Sequence, residues 1–387
     1  MTETISADDV PPQRTLAELK AEAQARADRN AYPLIGLAPA DVREALANIH
    51  SLDRDEWAAA WSAIGDRYLA TAEAQVATAR RDADENFLKA WRVYSFARWP
   101  VPNSPGKLAA YRKALAAFRR HTELLETTLE IVRIPFEGSE IVGYLQLPPG
   151  ARPAPMVLAI SGLDSRKEDF SERFGWLLPE GIGYLAIDSP GTGESPVKAD
   201  ATAERIYSRV LDYLATRPEI DRARIGCFGA SFGGYWATKL AIVERERLVC
   251  VAAQSPGAHE SFRVAHLKGM IANQEYLFDL IPAAMTIFAG VATLDALAAA
   301  WTGLSLVDQG LLGRKMAPML VIAGVRDTQT PIADIDLLLH SGDTPKEAWI
   351  NPSGGHMGRE KTGWTDLSIF RKVTMPWFVR KLKTEPG

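Results

Sequence analysis

Ser231 lies in the run Gly229-Ala230-Ser231-Phe232-Gly233-Gly234, directly behind the apolar segment Arg224-Ile225-Gly226-Cys227-Phe228 and ahead of Tyr235-Trp236-Ala237-Thr238-Lys239-Leu240. The pattern predicts strand, tight turn and helix with a serine at the apex. The flanking glycines would let the backbone turn sharply, so that the hydroxyl projects and the next N–H stays free. A serine hydroxyl is a weak nucleophile at neutral pH. It needs a base within hydrogen-bond reach, and the base needs an acid to hold its tautomer and stabilise the imidazolium.

Two later segments could supply these partners. Val325-Arg326-Asp327 follows the apolar run Met319 to Gly324, which places Asp327 at the carboxyl end of an expected strand. Asn351-Pro352-Ser353-Gly354-Gly355-His356 follows the last expected strand, and its paired glycines would let the loop bring His356 inward. A lone G-x-S-x-G arises by chance, Asp327 could simply cap a helix ahead of Pro331, and His356 could be a surface-loop histidine. Three residue types in the order Ser, Asp, His at three strand ends make a far more specific pattern, that of a nucleophile–acid–base triad of Ser231, Asp327 and His356.

Such a nucleophile generates an oxyanion, which needs preorganised N–H donors. Phe232, next to the serine, is one expected donor. The loop Ser161-Gly162-Leu163-Asp164, after the strand Met156 to Ile160, would supply the other from Leu163, with Gly162 as its neighbour. The plainer reading of that loop is a tight turn in which Asp164 caps the next segment. His259-Glu260 follows the strand Leu248 to Ala253 on the site side and could bind substrate or be a solvated loop pair. Asp188-Ser189-Pro190-Gly191-Thr192-Gly193-Glu194-Ser195 resembles a phosphate loop but lacks the lysine, and reads better as a structural turn. The remaining histidines, His50, His121, His266 and His340, have no metal-ligand spacing, so neither metal nor cofactor is expected.

The elements that must position these residues change character along the chain. Up to about Glu126 the sequence is helical. Trp57, Trp61, Ile64 and Tyr68 share one face, and Leu108, Tyr111, Leu115 and Phe118 repeat the rhythm behind a Ser104-Pro105 helix start. From about Thr127, paired strands around Gly138 lead into near-continuous apolar runs separated by helices. That alternation predicts a mostly parallel, doubly wound α/β sheet. Between about Ser255 and Ala317 no strand is expected, only Leu/Ala/Met-rich helix, an insertion over the carboxyl ends of the strands where such folds hold ligands. The expected organisation is a helical region over 1–126, a catalytic domain over 127–387 with an insertion at about 255–317, and a frayed first dozen residues.

Composition narrows the partners. With 387 residues, 47% hydrophobic and 24% charged, the chain can bury a full core. A formal net charge of −4 without a basic block weighs against nucleic acid and anionic membrane surfaces. No apolar window is long enough to span a bilayer, and the acidic N-terminus has no signal-like apolar core. Cys227 and Cys250 sit in apolar runs and are expected to be buried free thiols, consistent with a cytoplasmic location.

Over about Thr127 to Lys383, the chain resembles the α/β-hydrolase superfamily. The combination Ser161-Gly162-Leu163-Asp164-Ser165-Arg166-Lys167-Glu168-Asp169, Asp188 to Ser195 and Gly229 to Tyr235, behind a helical N-terminal region, is similar to one group within it. That group contains 2,6-dihydroxypseudooxynicotine hydrolase, the fungal pigment hydrolases that shorten polyketides in secondary metabolism, and the FrsA-like esterases. The resemblance implies a helical cap, a homodimer, and cleavage either of a C–C bond beside a ketone (1,3-dicarbonyl or aromatic ketone) or of an ester in a small apolar metabolite. It also implies an acidic substrate-holding residue, for which Glu260 is the nearest match. Acyl transfer or cyclisation on the same triad, and a binding protein with vestigial catalysis, are the alternatives.

Overall fold

The computed structural model describes residues 4–150 and 153–383. Its chain forms two compact units. One comprises the N-terminal residues up to Pro11, then Leu129–Glu275 and Ala284–Gly387; the other comprises Pro12–Thr128 and Tyr276–Ala283.

The first unit is built on a sheet of eight strands: β1 Leu129–Phe136, β2 Ser139–Gln146, β3 Ala154–Ile160, β4 Gly183–Ile187, β5 Ile220–Ala230, β6 Cys250–Gln254, β7 Met319–Gly324 and β8 Lys346–Asn351. Their spatial order is β1-β2-β4-β3-β5-β6-β7-β8. β1, β2 and β4 pair antiparallel, while every pairing from β4 through β3 to β8 is parallel. β3, β4, β6 and β7 are buried at every position, as strands covered on both faces must be. The order reverses at β3, which sends the chain out to β4 on one side and back to β5 on the other. Loops leaving β3 and β5 therefore diverge and open a crevice at their carboxyl ends. Residues 161–164 and Ser231 follow these two strands.

In the second unit, five helices succeed one another: α1 Leu16–Asp28, α2 Pro39–Ala47, α3 Arg54–Gln75, α4 Arg80–Ala97 and α5 Pro105–Thr122. Their starts are written in the sequence. Thr15 and Glu18 form a reciprocal capping box, Asp53 accepts from two N–H groups at the head of α3, and Ser104 caps α5 with Pro105 in its first turn. Trp57, Trp61 and Ile64 are buried, and Tyr68 packs against their cluster, as the spacing predicts. α3 and α4 pack closely, since a methyl group on Gly65 would meet the Tyr94 ring at 2.5 Å. The stripe on α5 differs from expectation. Leu108 is 43% exposed, and the inward face is Ala110, Tyr111, Ala114, Ala117 and Phe118. Alanines let a neighbouring helix approach, and the buried face follows them rather than the leucines.

The helices after β3 are α6 Lys167–Phe174, α7 Arg205–Thr216, α8 Phe232–Val243, α9 Val264–Ala272, α10 Leu280–Thr286, α11 Leu294–Thr302, α12 Ile332–Leu339, α13 Asp366–Ile369 and α14 Met375–Lys383; α10 is split between the two units, and the others belong to the sheet unit. From Ser255 to Pro318 the chain contains no strand. The stretch Tyr276–Ala283 belongs to the helical unit: Tyr276 stacks on Trp99, Phe278 meets Trp57 edge-on, and Asp279 is held by Arg54, Asn103 and the buried Lys107. The frayed start is corrected in part. Met1 to Glu3 lie outside the described residues, but Ile5 is buried and Asp9 pairs with Lys268 at 3.0 Å. Both cysteines are buried and free. Among the described residues, no helix is long and apolar enough to cross a membrane.

Candidate active site

Ser231 occupies the turn between β5 and α8 with φ 55° and ψ −119°, a left-handed conformation that costs a non-glycine residue about 1–3 kcal/mol. The glycines around it serve a different purpose from the one expected. Neither Gly229 nor Gly233 has a positive φ. A methyl group on Gly229 would lie 1.9 Å from the Gly233 carbonyl oxygen, and one on Gly233 would lie 2.5 Å from those of Ile160 and Ser161. They are crowded rather than flexible positions, and the serine itself adopts the strained conformation. Its N–H donates to Gln254 O at 2.8 Å, which fixes the turn to the end of β6.

His356 and Asp327 converge on this serine. His356 Nε2 is 2.9 Å from Ser231 Oγ, and Nδ1 is 3.0 Å from both oxygens of Asp327. Asp327 also accepts from the N–H groups of Gln329 (2.8 Å) and Thr330 (2.9 Å) and from Ser255 Oγ (2.7 Å). It therefore shapes the turn before α12 as well as facing His356. Burial would raise its pKa, but attraction to His356 and these hydrogen bonds outweigh that and hold the carboxyl below the usual range. An ionised carboxylate can only accept, so Nδ1 carries the proton and Nε2 presents its lone pair to the Ser231 hydroxyl. For His356, burial works against the charged form, but the pull of Asp327 exceeds it and the imidazole pKa is raised. The loop bearing His356 is pinned rather than loose. Gln254 Nε2 donates to Met357 O at 2.8 Å, and Gly354 lies so close to Gly358 O that a methyl group would approach it to 2.6 Å. The positive φ values fall at Met357 and Gly358, not at Gly354 or Gly355.

Phe232 is the first residue of α8, where backbone N–H groups lack intrahelical partners and the helix dipole favours negative charge. Among the described residues, neither the Phe232 nor the Leu163 N–H has an acceptor. Gly162 requires a correction: its N–H donates to Ser165 Oγ at 2.8 Å and is unavailable to an oxyanion. A methyl group there would be a tight fit, 3.1 Å from Ser165 Oγ and 3.3 Å from Ala230 O.

The glycine-containing turn at 188–195 braces this loop. Asp188 accepts from Lys167 N (2.9 Å), Lys167 Nζ (3.0 Å) and Glu194 N (3.0 Å), while Ser189 Oγ donates to Ser161 O at 2.5 Å. Arg166, itself buried, donates to the Leu163 and Ser165 carbonyls at 3.2 and 2.7 Å. Burial would push the Asp188 carboxyl up, but Lys167, Arg166 and the N–H donors keep it low. Glu168 shares the same lysine, and there burial wins and raises the carboxyl.

His259 and Glu260 are not hydrogen-bonded to Ser231, Asp327 or His356. The His259 ring is 2.7 Å from Ser305 Oγ, and the Glu260 side chain is 48% exposed. Their backbone is fixed by a residue that sequence reasoning missed. Asp334, fully buried on α12, accepts from the N–H groups of Ala258, His259, Glu260 and Ser261 at 2.7–3.1 Å. Ser255 and Gln254 were also missed. The available signal was a polar pair ending an otherwise apolar strand beside the strand that leads into Ser231.

A doubly wound sheet with a serine turn after its central strand and Asp327 and His356 in the loops after β7 and β8 is the architecture of an α/β-hydrolase. Within that class, the chain belongs to the FrsA-like esterase family, whose model (Esterase FrsA-like) matches residues 43–352. It is 30% identical over 242 residues to Esterase FrsA of Enterobacter sp. (strain 638), covering 61% of this chain and 57% of that protein. It is 30% identical over 295 residues to Esterase FrsA of Escherichia coli O139:H28 (strain E24377A / ETEC), covering 73% and 70%. It is 32% identical over 264 residues to that of Serratia proteamaculans (strain 568), covering 66% and 62%. The chain thus spans less than two thirds of the length of some of these relatives. Among solved structures, it is similar to the 2,6-dihydroxy-pseudo-oxynicotine hydrolase, with a TM-score of 0.75 and 20% identity over 92% of this chain and 95% of that one. It is also similar to wild-type AbyA5, with a TM-score of 0.71 and 21% identity over 94% and 95%. At these identities the likeness is one of fold.

Proposed function

We propose that this protein is a serine hydrolase that works through an acyl-enzyme on Ser231, with His356 as general base and acid and Asp327 as the group that orients and stabilises it. The observation that carries this reading is the unbroken hydrogen-bond chain Asp327–His356–Ser231. Ser231 Oγ attacks a carbonyl carbon as His356 Nε2 takes its proton, and the imidazolium forms against an ionised Asp327. The oxyanion sits against the N–H groups of Phe232 and Leu163, each worth about 3 kcal/mol by comparison with measured donors. His356 then protonates the leaving group, and water, deprotonated by His356, releases the acid.

An ester of a small apolar acid is the substrate class this machinery serves most directly, because an alkoxide leaves readily once protonated. The same steps cleave a C–C bond beside a ketone when the departing carbon is stabilised as an enol, as in a 1,3-dicarbonyl. The family's esterase relatives support the ester reading.

Ser231→Ala tests it. That variant is expected to fold and to lose at least about 10⁴-fold in kcat on p-nitrophenyl butyrate. A fluorophosphonate should label the wild-type chain at Ser231. Hydrolysis unchanged in Ser231→Ala, or folded wild-type protein that resists the label, would sink the proposal. Added alcohol acceptors that divert the acyl group from water would move it to acyl transfer.

A further inference from the structure

Ser255 lies immediately beyond β6, is fully buried, and holds φ at 47°, a region that costs any residue but glycine free energy. Its backbone is fastened on two sides. The N–H donates to Ile322 O on β7 at 2.7 Å, and the carbonyl accepts Thr330 Oγ1 at 3.1 Å. The strained backbone sets the direction of the side chain, and its hydroxyl lies between two loops. Oγ is 2.7 Å from Asp327 Oδ2 and 2.9 Å from the N–H of Met357, the residue after His356. An amide N–H can only donate and an ionised carboxylate can only accept. The hydroxyl therefore accepts from Met357 and gives its one proton to Asp327.

We propose that Ser255 is a positioning residue of the site: its hydroxyl ties the loop bearing the acid to the loop bearing the base, and its proton sets how much of the Asp327 charge is left to stabilise the His356 imidazolium. The inference rests on the triad reading above and deepens it. Asp327 receives two backbone N–H groups at Oδ1 and the Ser255 hydroxyl at Oδ2, so its carboxylate plane is held against rotation away from Nδ1. Losing the hydroxyl frees that oxygen, concentrates charge toward Nδ1, and leaves the Met357 N–H without its acceptor. Of the other charged groups acting on His356, Glu275 favours its protonation and Arg359 opposes it. Both remain in a Ser255 variant, so a change in titration reports on the hydroxyl.

Ser255→Ala and Ser255→Gly are assayed on p-nitrophenyl butyrate from pH 5 to 9, with folding checked by circular dichroism and thermal unfolding. Glycine tolerates the positive φ without strain, which makes Ser255→Gly the variant that should fold. Both are expected to lose about 10- to 100-fold in kcat with little change in KM. The acid limb of the kcat/KM profile should move up by about half a pH unit or more, because the imidazolium gains what the hydroxyl no longer withdraws. A folded variant with wild-type kcat and acid limb overturns the proposal. So does a loss of kcat with the limb unmoved, or failure of both variants to fold, since either assigns the residue to architecture alone. A wild-type chain without hydrolysis, or a Ser231→Ala chain that retains it, refutes the underlying triad reading instead.

Discussion

Replacing Asp327 by asparagine keeps volume and shape but changes one acceptor into a donor. The surroundings decide which. Oδ1 faces the N–H groups of Gln329 and Thr330 at 2.8 and 2.9 Å, so an amide nitrogen there would meet two donors. The amide oxygen must take that position, and the NH2 group falls at Oδ2, against Ser255 Oγ and His356 Nδ1. Ser255 can turn and accept. Nδ1 lies 3.0 Å from both positions, but the amide oxygen at Oδ1 is already taken by two backbone N–H groups. The imidazole therefore offers Nδ1 as a lone pair to the NH2 group, which moves its proton to Nε2 and points an N–H at Ser231 Oγ across 2.9 Å. In that tautomer it cannot take the serine proton. The equivalent change in a well-studied serine protease lowers kcat about 10⁴-fold with its geometry intact, which corresponds to about 5 kcal/mol of barrier. Asp327→Asn should show a loss of that order in kcat on p-nitrophenyl butyrate, little change in KM, and a parallel slowing of fluorophosphonate labelling. Near-UV circular dichroism would show that it remains folded. A folded Asp327→Asn protein within tenfold of wild-type kcat would refute the tautomer argument.

Charge and burial give three further predictions. Because Asp327 raises the His356 pKa, hydrolysis should fall on the acid side with a midpoint above the ordinary histidine value of 6.5. Stability runs the other way: the ion pair's contribution is full below the unfolded value of about 6.5 and is lost as pH rises through the folded value, which pH-dependent unfolding would show as a difference from His356→Gln. Asp334→Ala strips the shared acceptor from four backbone N–H groups in a fully buried place, and should cost about 3 kcal/mol or more in chemical denaturation, whereas a loss under about 1 kcal/mol would mean that water replaces it.

Much of the fold was legible because its signals are local. Unbroken apolar runs over β3, β4, β6 and β7 reflect burial on both faces, and Ser104-Pro105 marks a helix start by its own hydrogen-bond chemistry. Less local matters escaped. Leu108 looked like core because spacing shows which residues share a face but not which face a neighbour covers. Tyr276–Ala283 looked like the rest of the insertion, yet it packs with the helical unit through Trp57 and Trp99. Gly162 looked like a donor's neighbour, and its own N–H turned out to be spent on Ser165.

The sequence by itself determined the residue types, their order along the chain and the strand ends that carry them, since alternation of apolar runs and helices fixes which loops leave the same edge of a parallel sheet. Tertiary structure alone decided the rest. It set the 2.9 Å between His356 and Ser231, crowded Gly233 against the Ile160 and Ser161 carbonyls, and brought Ser255 from the neighbouring strand between Asp327 and the His356 loop. Those contacts join residues far apart in the chain. Their distances depend on how strands pair and loops pack, which no local pattern encodes.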